Sequence, residues 1–170
     1  AEVKIGGKSK DITIMFSDIV GFTTVTENYP PEKLMSHLSE YFNELSTIIM
    51  DNKGTIDKYI GDAIMAFWGA PIADKKQAIN ACRSALLIQK RLKELNRKWQ
   101  SKGKPKLYTR IGIHSGSAIV GNLGSADRMN YTIIGDAVNL ASRLEYANKL
   151  YDTRVVISED TYRMVEDVVL

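Results

Sequence analysis

The sequence predicts an α+β domain on a ferredoxin-like βαββαβ core, palm-like in layout, with a C-terminal extension. Three observations lead there. Hydrophobic spacing alternates between a short-strand pattern and a helical period in the order strand, helix, strand, strand, helix, strand up to His114. The pair Gly61-Asp62 separates two short apolar runs, as a tight hairpin turn does. The 170 residues, 44% of them hydrophobic, suit one domain with one substantial core, preceded by a leading segment over residues 1–10.

Taken in order, Ile12 to Phe16 reads as a short buried strand closed by Asp18 and Gly21. Pro30-Pro31 opens a helix, because proline fits the first helical turn, and Leu34, Leu38, Phe42, Leu45 and Ile49 then recur at helical spacing up to Gly54. Thr55 to Ile60 and Ala63 to Trp68 form the hairpin strands. Ala78, Ala81, Ala85, Ile88, Leu92, Leu95 and Trp99 mark a long amphipathic helix that Gly103 and Pro105 end. Leu107 to His114 and Ser117 to Gly121 suggest a second hairpin around Ser115-Gly116. Ala137 to Asn148 is a third helix, followed by a strand at Arg154 to Ile157 and a short helix at Thr161 to Val165.

Composition removes several classes of protein. The longest nearly apolar stretch, Ala63 to Ala73, lies between Asp62 and Asp74 and falls far short of the roughly 18 residues of a membrane span. A single cysteine, Cys82, excludes a disulfide framework and fits a reducing compartment. The formal charge of +3 does not by itself imply a nucleic-acid or membrane partner.

In a βαββαβ sheet the first strand pairs antiparallel with the third, so Asp18 and Asp62 meet at one end of the sheet. Two carboxylates beside glycine-containing turns suit Mg²⁺, which is usually shared between one or two carboxylates and substrate phosphates. Read singly, each aspartate equally suits a strand end or a turn. Backbone N–H groups around Gly21, Phe22 and Thr23 are placed to meet phosphate oxygens. Lys58 shares strand parity with Ile56 and Ile60, so it reaches a cavity, an interface or a partner, or else snorkels from an edge strand. Asn139 and Arg143, four apart on the third helix, look away from Ala137, Leu140, Ala141 and Leu144. They form a solvated face or a nucleotide contact. Arg110 is a further candidate phosphate partner, and His114 reads as a packed strand residue.

Four blocks in order carry a resemblance. They are Phe16-Ser-Asp-Ile-Val-Gly-Phe-Thr23, Gly54-Thr-Ile-Asp-Lys-Tyr-Ile-Gly-Asp-Ala63, Arg110-Ile-Gly-Ile-His-Ser-Gly116 and Gly135-Asp-Ala-Val-Asn-Leu-Ala-Ser-Arg-Leu-Glu145. From about Ile12 to Val165 the chain resembles the class III adenylyl/guanylyl cyclase catalytic domain, specifically the bacterial and soluble type. The resemblance implies a cytoplasmic adenylate cyclase that forms 3′,5′-cyclic AMP and pyrophosphate from ATP at sites shared across a homodimer. It also implies regulatory domains elsewhere in a parent protein that is free or membrane-tethered. Asp18 and Asp62, with the backbone carbonyl of Ile19, would hold two Mg²⁺ or Mn²⁺ ions. Arg110 would contact the terminal phosphates, Lys58 and Thr132 would read the base, and Asn139 and Arg143 would orient the ribose and stabilise the transition state. The family continues past the equivalent of Leu170 with a strand pair carrying a triphosphate-binding lysine, so the resemblance implies a domain cut short at its C-terminus.

Adenine offers an acceptor at N1 and a donor at its 6-amino group, which suits an ammonium and a hydroxyl acceptor, whereas guanine reverses both requirements. Lys58 therefore favours ATP over the rival guanylate cyclase reading. A diguanylate cyclase would carry a glycine-glycine-acid-acid-phenylalanine hairpin where this chain has Gly61-Asp62. A cyclase-like regulatory module without activity remains the alternative from another class, and loss of Asp18, Asp62, Asn139 or Arg143 would be its mark.

Overall fold

The computed structural model describes residues 6–125 and 127–168. Their elements run β1 (Gly7–Ile19), α1 (Phe22–Glu27), α2 (Pro31–Asp51), β2 (Thr55–Ile60), β3 (Ala63–Trp68), α3 (Gln77–Ser101), β4 (Thr109–Ser125), β5 (Arg128–Ile134), α4 (Asp136–Tyr151), β6 (Val155–Ile157) and α5 (Glu159–Val165). The sheet order is β2-β3-β1-β4-β5, with β6 parallel to the first part of β4. The first four strands have the antiparallel pairing of β1 with both β3 and β4 that the βαββαβ order predicts.

Alternation along β1 divides the molecule into two apolar layers. Met15 and Ile19 face α2 and α3, where Tyr41, Leu45 and Ile49 of α2 meet Ile88, Leu92 and Trp99 of α3. Ile12, Ile14 and Phe16 face the other way, toward Ala137 and Ala141 of α4 and toward Ile133 of β5. Each large side chain fully buried in these layers contributes roughly 1.5–3 kcal/mol of transfer free energy. Asp18 continues the Ile12, Ile14, Phe16 row, so the side chain beyond the second apolar layer is a carboxylate.

Three expectations need correction. Residues 7–10 are not a leading segment, because they pair with residues 118–121 as part of β1. Ser115-Gly116 is not a turn: β4 runs straight through it, and Ser115 finds partners inside the fold, with Oγ 2.8 Å from Thr13 Oγ1 and 2.9 Å from Thr161 Oγ1. Buried hydroxyls paired with one another mimic turn chemistry in sequence. Finally, α4 buries Ala137, Ala141 and Asn148, whereas Leu140 is 37% exposed and lies on the side of Asn139 and Arg143. Strand β5 and helix α1 were not foreseen.

Candidate active site

The hairpin between β2 and β3 turns at Gly61, whose φ of 59° lies in the left-handed region that glycine adopts freely. This places Asp62 against the end of β1, where its Oδ2 accepts the Ile19 N–H at 2.9 Å. Asp18 stands one residue earlier, directly opposite Arg110 in the β1–β4 register. Asp18, Ile19, Asp62 and Arg110 therefore assemble at one end of the sheet, and the meeting of Asp18 with Asp62 is the one the strand order predicts.

Glu145 joins them from α4 and was assigned no role from sequence. The helix comes so close to β4 that a Cβ on Gly112 would lie 2.1 Å from the Glu145 backbone nitrogen, which is why the position between Ile111 and Ile113 holds glycine. Burial, above all, raises the Asp18 carboxyl above its ordinary value, and the charge of Asp62 adds to this while Glu145 and Arg110 oppose it. Burial also raises Glu145, reinforced by its hydrogen bond with Asp18 and by the Asp18 charge, with Arg110 again opposing. Asp18 and Glu145 are thus close-set carboxyls, each raised by burial, and their proximity raises Glu145 further. One arginine leaves the negative charge of this end under-compensated, which is the condition a cation would relieve. Among the described residues no group of three His, Cys, Asp or Glu forms a closed metal cage. Mg²⁺ does not require one, since it takes one or two carboxylates and completes its shell with water and phosphate oxygens. The donor set therefore fits a divalent cation held by Asp18 and Asp62.

Residues two apart on a helix are rotated by about 200°, so Arg143 points away from the side that carries Glu145. Arg143 and Asn139 are exposed and line a cavity of about 550 Å³ with His114, Gly116, Ser117 and Ala137. Among the described residues neither has a hydrogen-bond or ion-pair partner. His114 is a packed residue, as expected: its Nδ1 lies 2.8 Å from Ser158 Oγ, and burial lowers its pKa against the opposing charge of Asp160.

Lys58 departs from its expected geometry. The β2–β3 register slips between Ile56 and Lys58, so Asp57 is an extra residue in β2. The bulge puts Ile56 opposite Ala66 and Lys58 opposite Met65, on opposite faces of the sheet; Lys58 thus shares a face with Ile60 but not with Ile56. At the far edge β4 and β5 curl back until Tyr131 stands 6.3 Å from Phe67, and Thr132 reaches β2. The Thr132 hydroxyl, in a residue only 7% exposed, donates to Asp57 Oδ2 at 2.8 Å. Burial raises the Asp57 carboxyl, while the Thr132 hydrogen bond and the Lys58 charge oppose the shift. Thr132 is thus tied to Asp57, the residue that precedes Lys58.

Gly21, Phe22 and Thr23 open α1, and Gly21 takes a left-handed φ of 63°. The first-turn N–H groups at Phe22 and Thr23 have no acceptor within the helix. Phe22 is partly buried against the core layer that contains Met15 and Ile19.

The Adenylate and Guanylate cyclase catalytic domain family matches residues 6–169. Adenylate cyclase 1 of Rhizobium meliloti is 42% identical over 167 residues, covering 96% of this chain. The chain spans only 25% of the length of that relative. The crystal structure of the adenylyl cyclase CyaB from P. aeruginosa is 41% identical with a TM-score of 0.89, covering 98% of this chain and 85% of that one. The crystal structure of a guanylyl cyclase is 35% identical with a TM-score of 0.90, covering 98% and 83%. Because both kinds superpose equally well, the backbone alone does not select the base. Sheet order, paired aspartates at the β1 and β3 ends, and the match over nearly every residue agree: this chain belongs to the adenylate and guanylate cyclase catalytic domain family.

Proposed function

We propose that the chain, residues 1–170, is one catalytic domain that converts ATP to 3′,5′-cyclic AMP and pyrophosphate, working as a twofold homodimer with two divalent cations per site. Cyclase catalytic domains bind a nucleotide, generally use a divalent cation and typically dimerise. The observation that carries the reading is the Asp62 to Ile19 hydrogen bond, which fixes the second aspartate beside the first.

Asp18 and Asp62 would hold the cations, with the Ile19 carbonyl at the same strand end. The cations would supply charge neutralisation on the triphosphate and acidify the attacking 3′-hydroxyl. Arg110 adds a fixed positive charge for the terminal phosphates, and the α1 entry at Gly21 to Thr23 offers backbone N–H groups to phosphate oxygens. Asn139 would hold the ribose. Arg143 would take up the negative charge that grows on the phosphoryl oxygens as the 3′-oxygen attacks in line and pyrophosphate leaves. Both stand on the α4 side that faces away from the aspartates, so a second copy must bring them to a nucleotide, and a twofold contact supplies two such sites.

Adenine selection rests on Lys58 as donor to N1 and Thr132 as acceptor from the 6-amino group. No helix among the described residues is long and apolar enough to cross a membrane. A place in the cytoplasm, where ATP is available, belongs to the same proposal. The deciding experiment incubates the purified protein with Mn²⁺ and either ATP or GTP and identifies the product by mass. Cyclic AMP is expected, and preferential formation of cyclic GMP from GTP, or no cyclic nucleotide from either, would overturn the assignment.

A further inference from the structure

Resting on the base-reading role of Lys58 and Thr132, we infer that Asp57 is a specificity-determining positioning residue. By accepting the Thr132 hydroxyl proton, it leaves that oxygen to act only as an acceptor toward the nucleotide base. A threonine hydroxyl has one proton and two lone pairs, and unconstrained it rotates to serve either kind of partner. It would then accept from the 6-amino group of adenine or donate to O6 of guanine, and would discriminate poorly.

In this fold the rotation is blocked. The Thr132 hydroxyl lies 2.8 Å from Asp57 Oδ2, and a carboxylate only accepts, so the proton is committed to Asp57. What remains on Thr132 Oγ1 is lone pairs. Adenine's amino group meets an acceptor, and guanine's O6 meets another acceptor with no proton between them. Asp57 reaches this position because it is the extra residue of the β2 bulge, which also turns Lys58 to the face of Met65. One local insertion therefore orients the fixed donor and fixes the acceptor of the pair. Regular strand geometry would send neighbouring side chains to opposite faces.

The test measures kcat/KM for ATP and GTP in Asp57→Asn, in Thr132→Ala and in the double variant. Equilibrium binding of 3′-deoxy-ATP and 3′-deoxy-GTP, which lack the attacking hydroxyl, accompanies it. An asparagine amide can donate to Thr132 and release its proton toward the base, so Asp57→Asn should lower the ATP-to-GTP ratio roughly three- to tenfold, the range of one net hydrogen bond. The same shift should appear in the binding ratio. In the double variant the ratio should equal that of Thr132→Ala alone, because Asp57 acts through Thr132. A ratio that falls for Thr132→Ala and stays put for Asp57→Asn overturns the inference and leaves the base-reading pair standing. A further drop in the double variant also overturns it, since Asp57 would then act independently of Thr132. If neither single variant moves the ratio, the base-reading role falls and the inference with it. Should Asp57→Asn fail to fold, Asp57→Ser removes the same carboxylate and carries the same expectations.

Discussion

Glu145 and Arg143 stand two residues apart on α4 and live in opposite circumstances. Glu145 is pressed onto the sheet over Gly112, has its carboxyl raised by burial and by Asp18, and belongs to an end of the molecule where Asp62, Ile19 and Arg110 already contact or face one another. Arg143 and Asn139 face an open cavity of about 550 Å³ and touch no polar partner among the described residues. The carboxylate end is pre-assembled within one chain, and the arginine face is left for something that arrives. A long flexible arginine without a polar partner among the described residues suits an interface or a substrate, whereas half-buried like charges suit a cation.

The sharpest way to break this contrast is to remove the carboxylates. Asp18→Ala and Asp62→Ala are each expected to reduce Mn²⁺-dependent turnover below about a hundredth, a barrier increase of at least ~2.7 kcal/mol. Residual activity above a tenth would show that the pre-assembled end is not where the cations act. Arg143→Ala is expected to lose a similar ~10²–10³-fold by removing a charge that acts in the transition state. Mixed with Asp18→Ala protein under confirmed subunit exchange, it should recover about a quarter of wild-type activity, because half the dimers are mixed and each has one intact site. A mixture as inactive as its parents would mean that the two faces of α4 serve a site within one chain.

Stability separates the faces as well. Arg143→Ala should change unfolding free energy by no more than ~0.5 kcal/mol, as exposed substitutions do. Gly112→Ala forces a Cβ into the α4 backbone and should cost ~1–3 kcal/mol, at roughly 2–4 °C of Tm per kcal/mol for a chain of this size. Equal melting temperatures for the two variants would erase the distinction. The smallest expected effect is on pH. Glu145 has its folded pKa raised, so between its ordinary value of 4.5 and the higher folded one the native state binds more protons than the unfolded chain. Without divalent cations the Tm should therefore decline as pH climbs through that window, and Glu145→Gln should flatten the decline. An unchanged slope in Glu145→Gln would place the titrating group elsewhere.

The pairing of Asp18 with Asp62 was legible because strand order alone dictates it, whereas the place of Arg110 opposite Asp18 depends on a β1–β4 register that only the structure shows. Glu145 was legible in principle. It continues the buried series Ala137, Ala141 by one more step of four, and a carboxylate on the buried stripe of a helix asks for a partner. It closes the block Gly135 to Glu145, in which Asn139 and Arg143 on the exposed side carry the more specific chemistry. Lys58 was misplaced relative to Ile56 for a different reason, since a bulge adds one residue without any glycine or proline to announce it. The turn expected at Ser115-Gly116 failed because Ser and Gly are turn residues only where their polar groups need solvent, and here Thr13 and Thr161 satisfy the serine. Strand β5 is not legible in the sequence because its pairing depends on how far β4 curls, which no local spacing records.

The contact over Gly112 has a mechanical corollary. Because the α4 backbone sits directly on β4 at Gly112, and elsewhere meets the sheet through small side chains such as Ala137 and Ala141, the helix and the sheet beneath it make one stiff plate. A signal arriving from a neighbouring domain has little to bend inside this plate. On the dimer reading, its available lever is the angle between two plates, which opens or closes the gap between one copy's arginine and the other copy's aspartates. Switching such an enzyme on would resemble closing calipers, with each jaw unchanged in shape while the distance between them sets the rate.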